Sequence, residues 1–412
     1  MTEGFRWHPA ARLIDGAGGE VARQPLAGPV LPDSPQGLAA AIGLPAFRIG
    51  APDQPAPVPR DQPVFETLTS GSTGQPRRIL RTQASWTASF AVNAGFGIGP
   101  GARVAVLGRL VHSLALYGAV EGLHLGATVH LLDALRPDRQ RKALAGRGIT
   151  HLYATPAQLR LLAEGQGACP DLRLVLVGGS KLDPRLRAAV AAMAPAAEVR
   201  EFYGAAETSF ITLADDGTPE ASVGRPYPGV EIRIEAGEVW ARSPYLFLRY
   251  ADAPANAVHP ALPSPLEGEG EGGGASAADP VQGKTRWRDG WLTVGEIGRL
   301  EGGFLYLDGR AGRMVTVADQ NVFPEAIEAL IESLPGVRRA AVLPVPDARR
   351  GVVLVAMVMG DPGAEAAILM RLRAELGPLK APKALIWQAD WPVLPSGKTD
   401  LKALGARLAW PV

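Results

Sequence analysis

The residues with the clearest chemical potential lie in one short run, Thr69-Ser70-Gly71-Ser72-Thr73-Gly74-Gln75-Pro76-Arg77-Arg78. Hydroxyl side chains and two glycines share six consecutive positions. Such a loop can offer backbone N–H groups and hydroxyls to phosphate oxygens, and the glycines let the backbone approach them. Arg77 and Arg78 follow and can neutralise charge. The spacing of Gly and Lys in a Walker A loop is not met, and composition alone describes a Ser/Thr/Gly linker equally well.

Three further runs carry chemistry. In Glu201-Phe202-Tyr203-Gly204-Ala205-Ala206-Glu207-Thr208, a loop carboxylate beside phosphates would suit Mg²⁺, which takes one or two carboxylates and completes its shell with substrate oxygens. An aromatic there can stack on a purine. Alone, Glu207 also reads as a solvated loop acid. In Asp289-Gly290-Trp291-Leu292-Thr293-Val294-Gly295-Glu296-Ile297-Gly298, with Tyr306-Leu307-Asp308-Gly309-Arg310 after it, a carboxylate past a glycine turn can accept from both ribose hydroxyls. Near the C-terminus, Leu394-Pro395-Ser396-Gly397-Lys398-Thr399-Asp400 sets a lysine on a glycine loop. It can be carried to a developing negative charge, or it is a surface lysine. Gly283-Lys284-Thr285 and the Gly/Glu run at 268–274 sit in low complexity and carry no such signal.

These runs need a scaffold. From Val64 onward short apolar runs alternate with helical patterns: strands at 103–108, 128–132 and 172–177, helices within 110–125 and at 156–164. That alternation predicts an α/β domain with mostly parallel strands, whose ligands gather at the carboxyl ends of the strands. VEIRIEAGEVWARS has period two around a Gly turn and predicts a hairpin or small β subdomain. Residues 252–285 hold two leucines and no Ile, Phe, Tyr or Trp, so they predict a disordered insert. A small α+β lobe follows, with helices at 324–334 and 363–377 and strands at 337–345 and 351–359. Residues 1–63, proline-rich and weakly periodic, read as a partly irregular lead-in. The expected division is an N-terminal domain over 1–310, containing the insert, and a C-terminal domain over 311–412.

Length and composition agree with more than one soluble domain: 412 residues, 47% hydrophobic and 20% charged. A net charge of +1 gives no footprint for nucleic acid or an anionic membrane. One cysteine, Cys169, rules out an internal disulfide and points to a reducing compartment. The N-terminus lacks a signal-peptide pattern, and the apolar run 352–359 is far short of a membrane span. A cytoplasmic protein without membrane or nucleic-acid partners is expected.

Taken in order, the four runs resemble the acyl-adenylate-forming superfamily of acyl- and aryl-CoA ligases, luciferases and peptide-synthetase adenylation domains. The resemblance covers roughly 64–402. It implies an adenylation domain followed by a mobile C-terminal domain, with ATP and Mg²⁺ as cofactors. A small carboxylic acid is the substrate, and coenzyme A or the phosphopantetheine of an acyl carrier protein is the acceptor. Thr69 to Gly74 with Arg77 look like the phosphate loop, Phe202, Tyr203 and Gly204 like the adenine motif, and Glu207 like the Mg²⁺ ligand. Gly178, Gly179 and Ser180 resemble the turn lining the adenine and acyl pockets. VHSLALYG resembles the segment that sets a His, here His112, at the carboxylate pocket. Glu296 and Arg310 fall at the ribose positions, and Lys398 at the catalytic lysine.

Several positions depart from the family pattern. Glu296 stands where Asp is usual, Ala206 where Thr or Ser is usual, Arg77 where the loop has Lys, and Gly312-Arg313 at the hinge. The phosphate loop begins about 100 residues early, which implies a shortened N-terminal subdomain and an open acyl pocket as one expectation. A non-catalytic homologue, or an adenylating enzyme with a non-thiol acceptor, is the alternative reading.

Overall fold

Short β-branched and leucine-rich runs separated by helices give the principal sheet its parallel character. In the computed structural model, which describes residues 4–69, 77–251, 285–310, 312–317, 320–347, 351–394 and 397–408, eight strands form this sheet. Its order is Arg12–Ile14, Thr128–Leu131, Arg103–Val106, His151–Ala154, Leu174–Val177, Glu198–Ala205, Ser209–Ala214 and Arg225–Pro226. The first six run parallel and the last two antiparallel. His151–Ala154 and Leu174–Val177 are buried along their whole length, as parallel strands covered on both faces must be.

The helices Ser113–Leu125, Pro137–Gly146, Pro156–Ala163 and Pro184–Met193 are crossovers between these strands. Two begin on side-chain caps. Thr155 and Gln158 form a reciprocal capping box, and the Asp183 carboxylate accepts from Leu186 N. The Ser113–Leu125 helix ends at Gly126, whose φ of 99° is the left-handed conformation of a helix C-terminus.

The lead-in is more ordered than its sequence suggests. Arg12–Ile14 joins the edge of the principal sheet, while Val30–Leu31 and Ala46–Ile49 enter a second sheet with Val64–Leu68, Arg78–Thr82 and Arg249–Tyr250. Phe5 and Phe47 pack against Phe65 in the main core. Strands of two to four residues are too short to show a period.

The expected hairpin is present: Glu231–Glu235 pairs antiparallel with Glu238–Arg242. Its turn residues Ala236 and Gly237 both have positive φ, 49° and 80°, as a two-residue hairpin turn demands. The C-terminal lobe is a three-stranded sheet of Val337–Asp347, Gly351–Gly360 and Leu385–Trp387 with the helices Pro324–Ser333 and Glu365–Lys380. It has its own apolar core around Ile327, Ile331, Val342 and Val358. No helix among the described residues is long and apolar enough to cross a membrane. The insert, apart from Thr285, lies outside the described residues.

Candidate active site

Four neighbouring parallel strands deliver their carboxyl ends to one cleft. His112 follows Arg103–Val106 through a short loop, Thr155 follows His151–Ala154, Gly178 and Gly179 follow Leu174–Val177, and Ala206 and Glu207 follow Glu198–Ala205. This is where an open α/β sheet binds ligands.

The phosphate-loop run hangs on a closed stem. Val64–Leu68 pairs antiparallel with Arg78–Thr82. Beyond them Thr69 N donates to Arg77 O at 2.8 Å, and Arg77 N donates to Thr69 Oγ1 at 2.9 Å. Ser70, Gly71, Ser72, Thr73 and Gly74 lie outside the described residues. The two arginines after the loop part company. The Arg77 guanidinium lies 3.3 Å from the centre of the Tyr250 ring. Arg78 turns away, donating at 3.0 Å to Glu66, which also receives buried Arg48 at 2.7 Å. Arg78 is therefore part of a structural ion network, and the expectation that it neutralises phosphate is corrected.

Glu207 is held from two sides. Its carboxylate accepts from Tyr250 Oη at 2.8 Å, and its backbone carbonyl accepts from Phe247 N at 2.8 Å. Beneath it lies Arg81, fully buried, donating to the carbonyls of Ala206 and Tyr245 and, at 2.7 Å, to Ser209 Oγ. Burial pushes the Arg81 guanidinium down, and the nearby Glu207 charge opposes that. Arg81 and Tyr250 were not legible in the sequence, since their partners are remote in the chain. Gly204 is required where it stands: a Cβ there would lie 1.7 Å from Ser209 O. Ala206 adds its methyl to the apolar cluster of Ile79, Leu246, Phe247 and Leu292.

At the ribose positions, Arg310 Nε donates to Glu296 at 2.8 Å, and Glu296 is buried. The Tyr203 hydroxyl is buried here with no hydrogen-bond partner among the described residues. Burial raises its pKa well above the usual tyrosine value; Glu296 adds to this and Arg310 opposes it. Phe202 points elsewhere. Alternation along a strand sends neighbouring side chains to opposite faces, and the Phe202 ring packs 4.5 Å from that of Phe210 and directly over Gly178. Gly179 takes φ 102° in the turn that follows, and Ser180 is exposed.

His112 precedes the Ser113–Leu125 helix and bridges Leu68 at the entry to the phosphate loop. Its Nδ1 is buried without a partner among the described residues. Burial pushes the imidazole below its ordinary pKa; Arg109 adds to this and Asp33 opposes it.

Lys398, on the C-terminal lobe, lies within electrostatic reach of Arg310, Glu296 and Glu207. Its carbonyl accepts from Leu394 N at 2.8 Å, and Gly397, with φ 79°, lies so close to the Pro156–Ala163 helix that a Cβ would sit 2.8 Å from Ala157 Cβ. Arg185 adds a second link between the lobes, donating to Val337 O at 3.2 Å and Leu334 O at 3.4 Å. Burial pushes the Lys398 ammonium down to about 8, with Arg310 adding to the fall and Glu296 and Glu207 opposing it. At the expected hinge, Arg313 is paired with Glu328 at 2.6 Å. Cys169 is a buried loop residue, and burial pushes its thiol up.

Comparison with known proteins places the chain in a family. Residues 15–251 match the model of the AMP-binding enzyme family, and residues 326–398 match the AMP-binding enzyme C-terminal domain. An uncharacterized acyl–CoA ligase, YhfT of Bacillus subtilis strain 168, is 30% identical over 82% of this chain and 67% of its own length. The fatty acid–[acyl-carrier-protein] ligase ScoC of Streptomyces coeruleorubidus is 26% identical over 86% of this chain and 69% of its own. Among solved structures, o-succinylbenzoate coenzyme A synthetase (MenE) from Bacillus subtilis, in complex with ATP and magnesium ion, matches in fold. Its TM-score is 0.66 at 22% identity, over 82% of this chain and 69% of that one. The chain belongs to the AMP-binding enzyme family, the acyl-adenylate-forming superfamily of AMP-forming acid–thiol ligases.

Proposed function

We propose that His112, Tyr203, Glu207, Glu296, Arg310 and Lys398 form one catalytic cleft for the family reaction. In that reaction a carboxylate and ATP give an acyl-adenylate and pyrophosphate, and a thiol then displaces AMP to give a thioester. The observation that carries the assignment is convergence. A lysine from the C-terminal lobe lies within electrostatic reach of Arg310, Glu296 and Glu207, and the unpartnered Tyr203 hydroxyl lies beside the same Glu296–Arg310 pair.

In the first step the substrate carboxylate attacks the α-phosphorus in line and pyrophosphate leaves. Lys398, as the ammonium, stabilises the charge that grows on the phosphoryl oxygens and the leaving group. Glu296 and Arg310 hold the ribose hydroxyls, Tyr203 stacks on the purine, and Thr69 and Arg77 anchor the phosphate loop. His112 Nδ1 has no partner among the described residues, which suits a hydrogen bond at the carboxylate end.

Glu207 would hold Mg²⁺. A single carboxylate braced by Tyr250 fits a hard cation that fills its shell with phosphate oxygens and water. The ion would neutralise phosphate charge. Among the described residues no group of three or more His, Cys, Asp or Glu side chains offers an all-protein cage.

In the second step the thiol of coenzyme A, or of a carrier protein's phosphopantetheine, attacks the acyl-adenylate carbonyl and AMP departs. Residues 311–412 act as the mobile domain, turning about Arg310–Arg313 against an adenylation domain of residues 1–310. The lone buried thiol of Cys169 is in keeping with work in a reducing cytoplasm.

The test is ATP–pyrophosphate exchange across a panel of carboxylic acids, with AMP release measured with and without coenzyme A. Acid-dependent exchange and thiol-stimulated AMP release are expected. Exchange without thiol stimulation would redirect the acceptor assignment, and no exchange with any acid would overturn the catalytic reading.

A further inference from the structure

Near the carboxyl ends of the strands that carry the candidate site, two glycines lie against aromatic rings. Gly118 lies in the Ser113–Leu125 helix that starts after His112, and a Cβ on it would lie 2.6 Å from the Tyr153 ring. Gly178 lies at the end of Leu174–Val177, and a Cβ on it would lie 2.2 Å from the Phe202 ring. In both places a glycine Cα lies against an aromatic face. The rings continue inward without a gap: Phe202 meets Phe210 at 4.5 Å, Phe210 meets Tyr227 at 4.7 Å, and Tyr117 meets Phe210 at 5.2 Å.

Below the rings the core is polar and satisfied. Fully buried Glu121 accepts from Tyr153 Oη, from Asn93 Nδ2 at 2.8 Å and from Tyr117 Oη at 3.2 Å. Tyr227 Oη donates to Asn93 Oδ1 at 2.6 Å. An alkyl chain pushed through this layer would strip buried donors of their acceptors, offsetting the gain from burying its methylenes.

A surface hollow of about 450 Å³ is lined by Val30, Leu31, Pro32, Asp33, Gly50 and Arg109, among others. Val111, which precedes His112 in the chain, has its Cγ1 2.6 Å from where a Gly50 Cβ would be. The Arg109–Asp33 ion pair at 2.7 Å lies on that hollow, a poor surface for a hydrocarbon tail.

We propose that the cleft selects compact acids, of single-arene size or smaller, against long-chain fatty acids, with Phe202 and Tyr153 as the residues that set the depth. Aromatic walls favour a planar ring, which they can meet in stacked or edge-on contact. This inference rests on the catalytic cleft proposed above and narrows its substrate class. It also changes the expectation of an open acyl pocket: the sheet side of the cleft is floored.

The test compares benzoate, hexanoate and dodecanoate in ATP–pyrophosphate exchange. Benzoate or hexanoate should exceed dodecanoate in kcat/KM by about tenfold or more, the scale on which a pocket rejects surplus methylenes. Phe202→Ala should narrow that ratio by raising exchange with dodecanoate, and Phe202→Leu should do so by less. Preference for dodecanoate in the unaltered protein would overturn the inference while leaving the adenylation reading intact. An unchanged ratio in a folded Phe202→Ala protein would also overturn the role of Phe202. No exchange with any acid would sink the adenylation reading, and this inference with it.

Discussion

The two ends of the cleft are built on opposite rules. Toward the proposed nucleotide and carboxylate positions, the Tyr203 hydroxyl and His112 Nδ1 are buried with no partner among the described residues. Lys398 is held as a weakened cation among three other charges. At the floor, the Glu121 carboxylate and the hydroxyls of Tyr117, Tyr153 and Tyr227 are all hydrogen-bonded. Unpaired buried polar groups cost stability unless a ligand satisfies them. Satisfied and packed groups set shape instead. Under the proposed function, the unpaired groups would meet the nucleotide and the carboxylate, and the packed ones would bound the acid.

Substitutions that break each end should therefore fail differently. The largest effect is expected from Arg81→Ala, which leaves the carbonyls of Ala206 and Tyr245 without this donor beneath Glu207. Removing one member of a buried charged network typically costs about 3–5 kcal/mol. Urea unfolding should show that loss as a lower midpoint. A stability change under about 1 kcal/mol would mean that the Glu207 loop is held by something else.

Glu296→Ala should spare the fold more but weaken ATP binding by about 1.5–3 kcal/mol, the range for hydrogen bonds to a charged group. Calorimetric titration with ATP reads this directly. Unaltered affinity would remove Glu296 from the ribose site and favour a protein that has left catalysis behind.

Arg185→Ala should act on docking of the lobes. Its two hydrogen bonds end on Val337 and Leu334 carbonyls. Losing them should slow adenylation by about 3–10-fold, the rate equivalent of roughly 1 kcal/mol. Thioester formation from supplied acyl-adenylate should be unaffected. Equal loss in both half-reactions would mean that Arg185 serves the fold rather than the docked state. Smallest of all, Tyr250→Phe removes one bond to Glu207. It should raise the Mg²⁺ concentration needed for half-maximal exchange by about threefold, with KM for the acid constant. A change in acid KM instead would place Tyr250 at the wrong end of the cleft.

Local motifs were legible because their chemistry is short-range. The Thr69–Arg77 stem, the Glu231–Arg242 hairpin and the Gly397-Lys398 loop each announce themselves within ten or so residues. What needed three dimensions was partnership across the chain. Arg81 sits in an apolar strand with nothing beside it to reveal bonds to Ala206 and Ser209. Phe202 and Tyr203 read as one aromatic motif, yet strand alternation divides them between floor and nucleotide end. The lead-in hid strands of two sheets because three or four residues show no period.

The central claim, that Lys398 serves the first half-reaction from the docked lobe, is tested most directly by separating the two steps in Lys398→Ala. Pyrophosphate release from ATP and acid should fall by about 10²–10³, the usual cost of removing a preorganised charge aimed at a transition state. Conversion of supplied acyl-adenylate to thioester should remain near normal. In the unaltered protein the first rate should also decline as pH rises through about 8, where the ammonium loses its proton, and the second should not share that limb. Equal losses in both half-reactions, or no loss in either, would contradict the account.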